Sequence, residues 1–105
     1  MTYYIQIGTT NYNDDILLLR KAIGKLESEC QVTDGYLLGE PMSKFGWTFF
    51  DLILKPNLHL SIENEFADLL KKSNGNKPTE KFINFLSKFF ESNDCNVKLK
   101  LIEMN

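Results

Sequence analysis

The sequence predicts one α+β domain, an antiparallel sheet of four strands with helices on one face, and three observations predict it. Segments with a period-two apolar pattern and segments with helical spacing follow one another in the order strand, helix, strand, strand, two short helices, strand. The third strand-like segment is apolar on both faces, as a central strand is, whereas the last alternates cleanly, as an edge strand does. The chain has 105 residues, 43% of them hydrophobic and 25% charged, which suits one globular domain rather than a disordered segment. Such a domain should bury roughly two thirds of its unfolded surface, enough to fold without a metal or disulfides.

The first strand is expected over residues 2–7, with Tyr3, Ile5 and Ile7 on one face and Tyr4 and Gln6 on the other. Gly8 and the polar run Thr9-Thr10-Asn11 end it. The first helix is expected over residues 13–28, capped by Asn13, with Asp14 and Asp15 where the helix dipole favours negative charge. Ile16, Leu19, Ile23 and Leu26 form its apolar stripe. The second strand is expected over residues 31–38 and the third over residues 47–54. Residues 39–46 read as one long hairpin link rich in turn formers. Trp47, Phe49 and Ile53 share one face of the third strand, and Phe50, Leu52 and Leu54 the other.

Lys55-Pro56-Asn57 should end that strand, and the second helix should open at Ser61 with Glu63 in its first turn. Ile62, Phe66, Leu69 and Leu70 are its expected stripe, and Asn74-Gly75 its stop. The third helix opens near Pro78, with Phe82, Phe85, Leu86, Phe89 and Phe90 at helical spacing. The last strand, residues 96–102, turns Val97, Leu99 and Leu101 inward and Lys98 and Lys100 outward. This order is the ferredoxin-like split βαβ pattern with its second helix broken in two. It implies the strand order 4-1-3-2 and one sheet face left open by the helices.

Charge excludes several partners. Twelve Lys and Arg stand against 14 Asp and Glu, for a net charge of −2 and a pI near 5.3. Nucleic-acid binding through the backbone normally needs a basic patch, and a polybasic membrane anchor needs clustered cations. Neither nucleic acid nor membrane is therefore expected as a partner. An acidic chain is instead steered toward a basic protein. Cys30 and Cys95 make no metal-binding spacing and are expected as reduced thiols, in keeping with the cytoplasm. No basic segment precedes an apolar run at the N-terminus, so no signal peptide is expected.

No catalytic or cofactor signature stands out. His59 is the only histidine, and the sequence nominates no nucleophile or carboxylate to work with it. One His and two distant Cys do not supply the ligands of a metal site. The six glycines form neither GxGxxG nor GxxxxGK[ST]. No enzyme activity, no cofactor and no metal are expected. Asp51 is the carboxylate without an ordinary explanation, because it interrupts an apolar central strand.

The open sheet face should carry Tyr4, Gln6, Trp47, Phe49, Asp51, Ile53, Lys98 and Lys100. A bulge in the second strand would add Asp34 and Tyr36. Such a face is too apolar to stay wet. It is covered by another copy of the chain or a tail, it binds a protein, or it stacks bases; the missing RNP1 pattern and the negative charge weigh against bases. The expected partner-binding surface is Asp34, Tyr36, Glu40, Trp47 and Asp51, facing a basic protein.

The chain resembles the small bacterial immunity proteins that neutralise secreted or contact-delivered toxins. The likeness is one of type: a single short domain, mildly acidic, empty of catalytic motifs and rich in Asn, Lys, Ile and Phe. It implies a tight complex with a cognate toxin, many of which are basic nucleases. The competing reading is a homodimeric ferredoxin-like domain that binds a ligand or regulates. Some relatives of that architecture are cofactor-free monooxygenases, for which His59, Trp47 and Tyr4 are the candidate residues.

Overall fold

The structure is a computed structural model and describes residues 1–104. In chain order its elements are β1 (Tyr3–Thr9), α1 (Tyr12–Cys30), β2 (Tyr36–Leu38), β3 (Met42–Lys44), β4 (Trp47–Leu54), α2 (Pro56–Glu65), α3 (Ala67–Lys72), α4 (Pro78–Ser92) and β5 (Lys98–Met104). They form an α+β domain with one open sheet of five strands and four helices. The path through the sheet is β2-β4-β1-β5, every neighbouring pair antiparallel, and β3 also pairs with β4. Four strands were expected, and β3 is the fifth.

The period-two pattern sets the two faces. Tyr3, Ile5 and Ile7 of β1 stand opposite Leu54, Leu52 and Phe50 of β4, and all six are buried. Leu19, Ile23 and Leu26 of α1, Leu58 and Ile62 of α2, and Phe82, Leu86 and Phe90 of α4 close over them as one apolar core. The other face of β4 carries Trp47, Phe49, Asp51 and Ile53, each only half-buried.

Several boundaries differ from the sequence expectation, each for a local reason. α1 begins at Tyr12 and runs to Cys30. At its start the Thr9 hydroxyl donates to Asp15, and the Asn11 side-chain amide donates to Asp14 at 3.0 Å. Strand end and helix start are thereby tied together. At its end Gln31 takes the left-handed conformation, and the backbone N–H groups of Gln31 and Val32 return to Ser28 and Glu27. A second left-handed residue, Asp34, follows. This helix stop and turn consume residues 31–35, so β2 is three residues long instead of eight.

The expected link over residues 39–46 contains β3. Gly39 donates to the Asp51 carbonyl at 2.8 Å, and β2 and β3 flank that point along the same side of β4. They make one interrupted edge strand. Pro41 lies at the interruption, where a residue without an N–H is tolerated.

α2 begins at Pro56, five positions before the expected Ser61, because proline is already shaped for the first turn of a helix and needs no N–H there. His59 is therefore inside a helix. The break between α2 and α3 falls at Phe66, and Leu69 of the expected stripe is exposed. β5 starts at Lys98 rather than Asn96 and reaches Met104, with a bulge opposite Tyr4 and Ile5.

Candidate functional site

The antiparallel register turns the open face into rows. Asp51 of β4, Gln6 of β1 and Lys100 of β5 stand side by side. In the next row are Met42 of β3, Phe49, Gly8 and Lys98. Lys44 and Trp47 form the row nearest the β3–β4 turn.

Phe49 and Trp47 lie stacked, 6.2 Å between ring centroids and 15° between planes. Gly8 makes room for this pair: a Cβ there would approach the Phe49 ring to 3.1 Å. A glycine at the middle of the sheet is thus explained by an aromatic ring lying across it. Around the rings is a shallow hollow of about 620 Å³, lined by residues that include Gln6, Glu40, Met42, Phe45, Trp47 and Asp51.

The turn that ends β3 is two residues long. Lys44 pairs with Trp47, and Phe45 and Gly46 between them have φ of 54° and 81°. Two left-handed residues in sequence give the hairpin turn that matches strand twist. Glycine adopts that conformation freely. Phenylalanine does not, and for a bulky residue it is an outlier. Phe45 nevertheless projects its ring almost wholly into solvent, at 91% exposed, with Met42 beside the same hairpin at 70%.

Of the five residues expected at the partner surface, Glu40, Trp47 and Asp51 meet at this hollow. Tyr36 and Asp34 do not. Tyr36 stands opposite Leu54 and packs against the core, because β2 has no bulge and it is Leu37 that faces outward, 52% exposed. Asp34 lies in the loop before β2, at the far end of β4 from Trp47, and pairs with Lys55 at 3.0 Å. The sequence reading missed Met42, Phe45 and Gly8. The Phe-Gly pair at 45–46 was the available signal for a turn, but a three-residue strand is too short to reveal its period.

Asp51 makes no ion pair with Lys98 or Lys100, since Gln6 stands between the two strands that carry them. Asp51 and Glu40 are without a cationic partner among the described residues.

His59 lies away from this face, packed in the core against Tyr3 and Phe82 at ring distances of 4.2 and 5.2 Å. Its Nε2 is 2.9 Å from a Glu63 oxygen, so a carboxylate neighbour exists that the sequence did not nominate. The contact is close but poorly aligned, and among the described residues neither ring nitrogen has a well-formed hydrogen bond. Burial lowers the imidazole pKa from its ordinary value, outweighing the attraction of Glu63. Cys30 and Cys95 are both buried free thiols. Burial, followed by Asp15, pushes Cys95 up to about 11, and burial, followed by Glu65 and Glu29, raises Cys30.

A second groove, about 560 Å³, runs between α3 and α4 and exposes Leu69. It has neither a stacked aromatic pair nor a strained residue. Among the described residues no three His, Cys, Asp or Glu side chains gather as a metal site, and no helix is long and apolar enough to cross a membrane. The sequence matches no protein-family model, and neither a curated protein nor a solved structure matches the chain.

Proposed function

We propose that the chain is a non-catalytic protein-binding module, an inhibitor of the immunity kind that neutralises a bacterial toxin by binding it tightly in the cytoplasm. The observation that carries this reading is the exposed Met42 and Phe45 with the half-buried Trp47 and Phe49, set beside two uncommitted carboxylates, Glu40 and Asp51. Aromatic side chains of this kind are the favoured anchors of protein interfaces. The carboxylates would receive basic groups of the toxin and speed its approach. A strained, solvent-exposed phenylalanine at a hairpin tip supports the same reading, because strain tends to collect where function needs it. His59 supports a non-catalytic role by its position, buried in the core and away from the hollow. The path β2-β4-β1-β5 supports the ferredoxin-like assignment, with β3 an addition in the hairpin.

Co-expression with the product of the gene directly upstream tests the proposal. Growth should be restored, and the two proteins should elute as a one-to-one complex. Trp47→Ala should speed dissociation, with a loss of about thirtyfold in affinity for an anchor worth about 2 kcal/mol. Absent protection would refute the inhibitor reading, and protection that survives Trp47→Ala with unchanged affinity would remove this face from the interface.

A further inference from the structure

In the two rows at Gln6 and Gly8, charge on the open face is divided by side, with Glu103 of β5 and Lys44 of β3 lying in the rows beyond them. Asp51 lies on β4 and Lys98 and Lys100 lie on β5, with β1 between them. Neighbouring strands are roughly 4.8 Å apart, so the backbones of Asp51 and Lys100 are roughly 10 Å apart across Gln6. Neither these lysines nor Asp51 has an oppositely charged partner within 4.0 Å among the described residues.

That arrangement is complementary to itself. Consider two copies face to face, related by a two-fold axis running along β1. The axis lays β5 of each copy over β4 of the other and keeps the rows level. Lys100 then faces Asp51 of the second copy, and the pair occurs twice, as an isologous interface requires. Lys98 faces Phe49 of the second copy, whose ring face attracts an ammonium group. Gln6 lies on the axis, and over Gly8 the Phe49 ring fills the space a side chain would take, so the centre of the contact is uncharged. A two-fold axis across the strands at Gln6 would instead set Asp51 against Asp51 and Lys100 against Lys100, with only Lys98 and Glu103 in opposition of sign. Charge therefore selects the first orientation.

We infer that in the free protein a second copy of this chain covers the open face, in a dimer held by reciprocal Asp51–Lys100 pairs. The inference rests on the reading that this face is the binding surface, and it adds a mode of regulation: the second copy and the toxin compete for it. Four strands by seven residues span roughly 20 by 23 Å, a projected footprint on the order of 450 Å². That is well below the ~800 Å² per partner of a standard stable complex, so the dimer is weak and reversible, as a displaceable cover should be.

Light scattering and sedimentation across a concentration series test the inference. The wild type should shift from monomer to dimer as concentration rises, and its dissociation constant should rise about tenfold between low and high salt. Asp51→Lys and Lys100→Asp should each be folded by circular dichroism and monomeric over the same range. Their equimolar mixture should dimerise again, because the mixed pair sets the introduced lysine against the introduced aspartate and Lys100 against Asp51. A wild type that stays monomeric at every concentration, a dimer indifferent to salt, a single reversal that still dimerises, or a mixture that stays monomeric would each overturn the dimer. The toxin-protection assay is read separately. A monomeric wild type that still protects refutes this inference alone, whereas a dimer that gives no protection refutes the inhibitor reading alone.

Discussion

Phe45 and His59 are the two residues whose surroundings differ most from what their chemistry favours. Phe45 holds a left-handed backbone at a two-residue turn, where asparagine or glycine would sit without strain. Phe45→Asn should therefore stabilise the domain by about 1 kcal/mol, the low end of what such strain costs, in a urea unfolding curve. If Phe45 also touches the partner, the same variant should bind it more weakly. A gain in stability with a loss in affinity is the expected signature. His59 is nearly fully buried, and burial holds its pKa below the ordinary value of 6.5. The unfolded chain then takes up the proton more readily than the folded one. The contribution of this group is complete above pH about 6.5 and is lost as pH falls through the folded-state pKa. His59→Gln should flatten the slope of melting temperature against pH just below 6.5. An unchanged slope would assign it to other groups.

The hairpin of β3 and β4, its contact with β1, and the core face of β4 set the working surface at the scale of elements. Gly8 is narrow enough for Phe49 to lie over β1, and the stacked Trp47 depends on that position. Gly8→Val should force the Phe49 ring away and cost about 1–3 kcal/mol, as overfilled sites do. Tryptophan fluorescence should change with it, even at temperatures where the fold persists. On the other face of the same strand, Leu52 is fully buried between Ile5 and Leu38. Leu52→Ala should cost about 2–5 kcal/mol. The contrast between the two faces of β4 is a direct check on its orientation. Substitutions at Phe49 and Trp47 should alter binding more than stability, and those at Phe50, Leu52 and Leu54 the reverse.

At the scale of the whole molecule, the four helices and the closed face of the sheet enclose one core, and the radius of gyration is 13.0 Å, near the roughly 13 Å of a compact domain of this length. Both cysteines belong to that core. Their thiols should resist alkylation in the native protein at pH 8, because burial hides them and keeps the reactive thiolate scarce. Labelling counted by mass should show neither modified under native conditions and both modified in denaturant. Rapid native labelling of Cys95 would mean that the α4–β5 corner opens readily.

Much of this architecture was legible in the amino-acid pattern. Residue parity in β1 and the lone Asp51 of β4 separated the core face from the open one, and the phenylalanine spacing of α4 marked its buried stripe. Those features depend on periods of two and 3.6, which repeat often enough within seven or more residues to be read locally. The strand β3, the early start of α2 and the core position of Tyr36 were not legible in the same way. A three-residue strand carries less than two periods, and its existence depends on β4 offering an unpaired edge. Tyr36 faces inward because residues 31–35 are spent on a helix stop and a turn, which sets the parity of everything after them. The candidate site divides along the same line. Trp47 and Asp51 are four positions apart in one strand, so their common face could be inferred from sequence. Whether Asp34, Tyr36 and Glu40 joined them depended on where β2 and β3 paired along β4, and only chain packing decides pairing between segments separated in sequence.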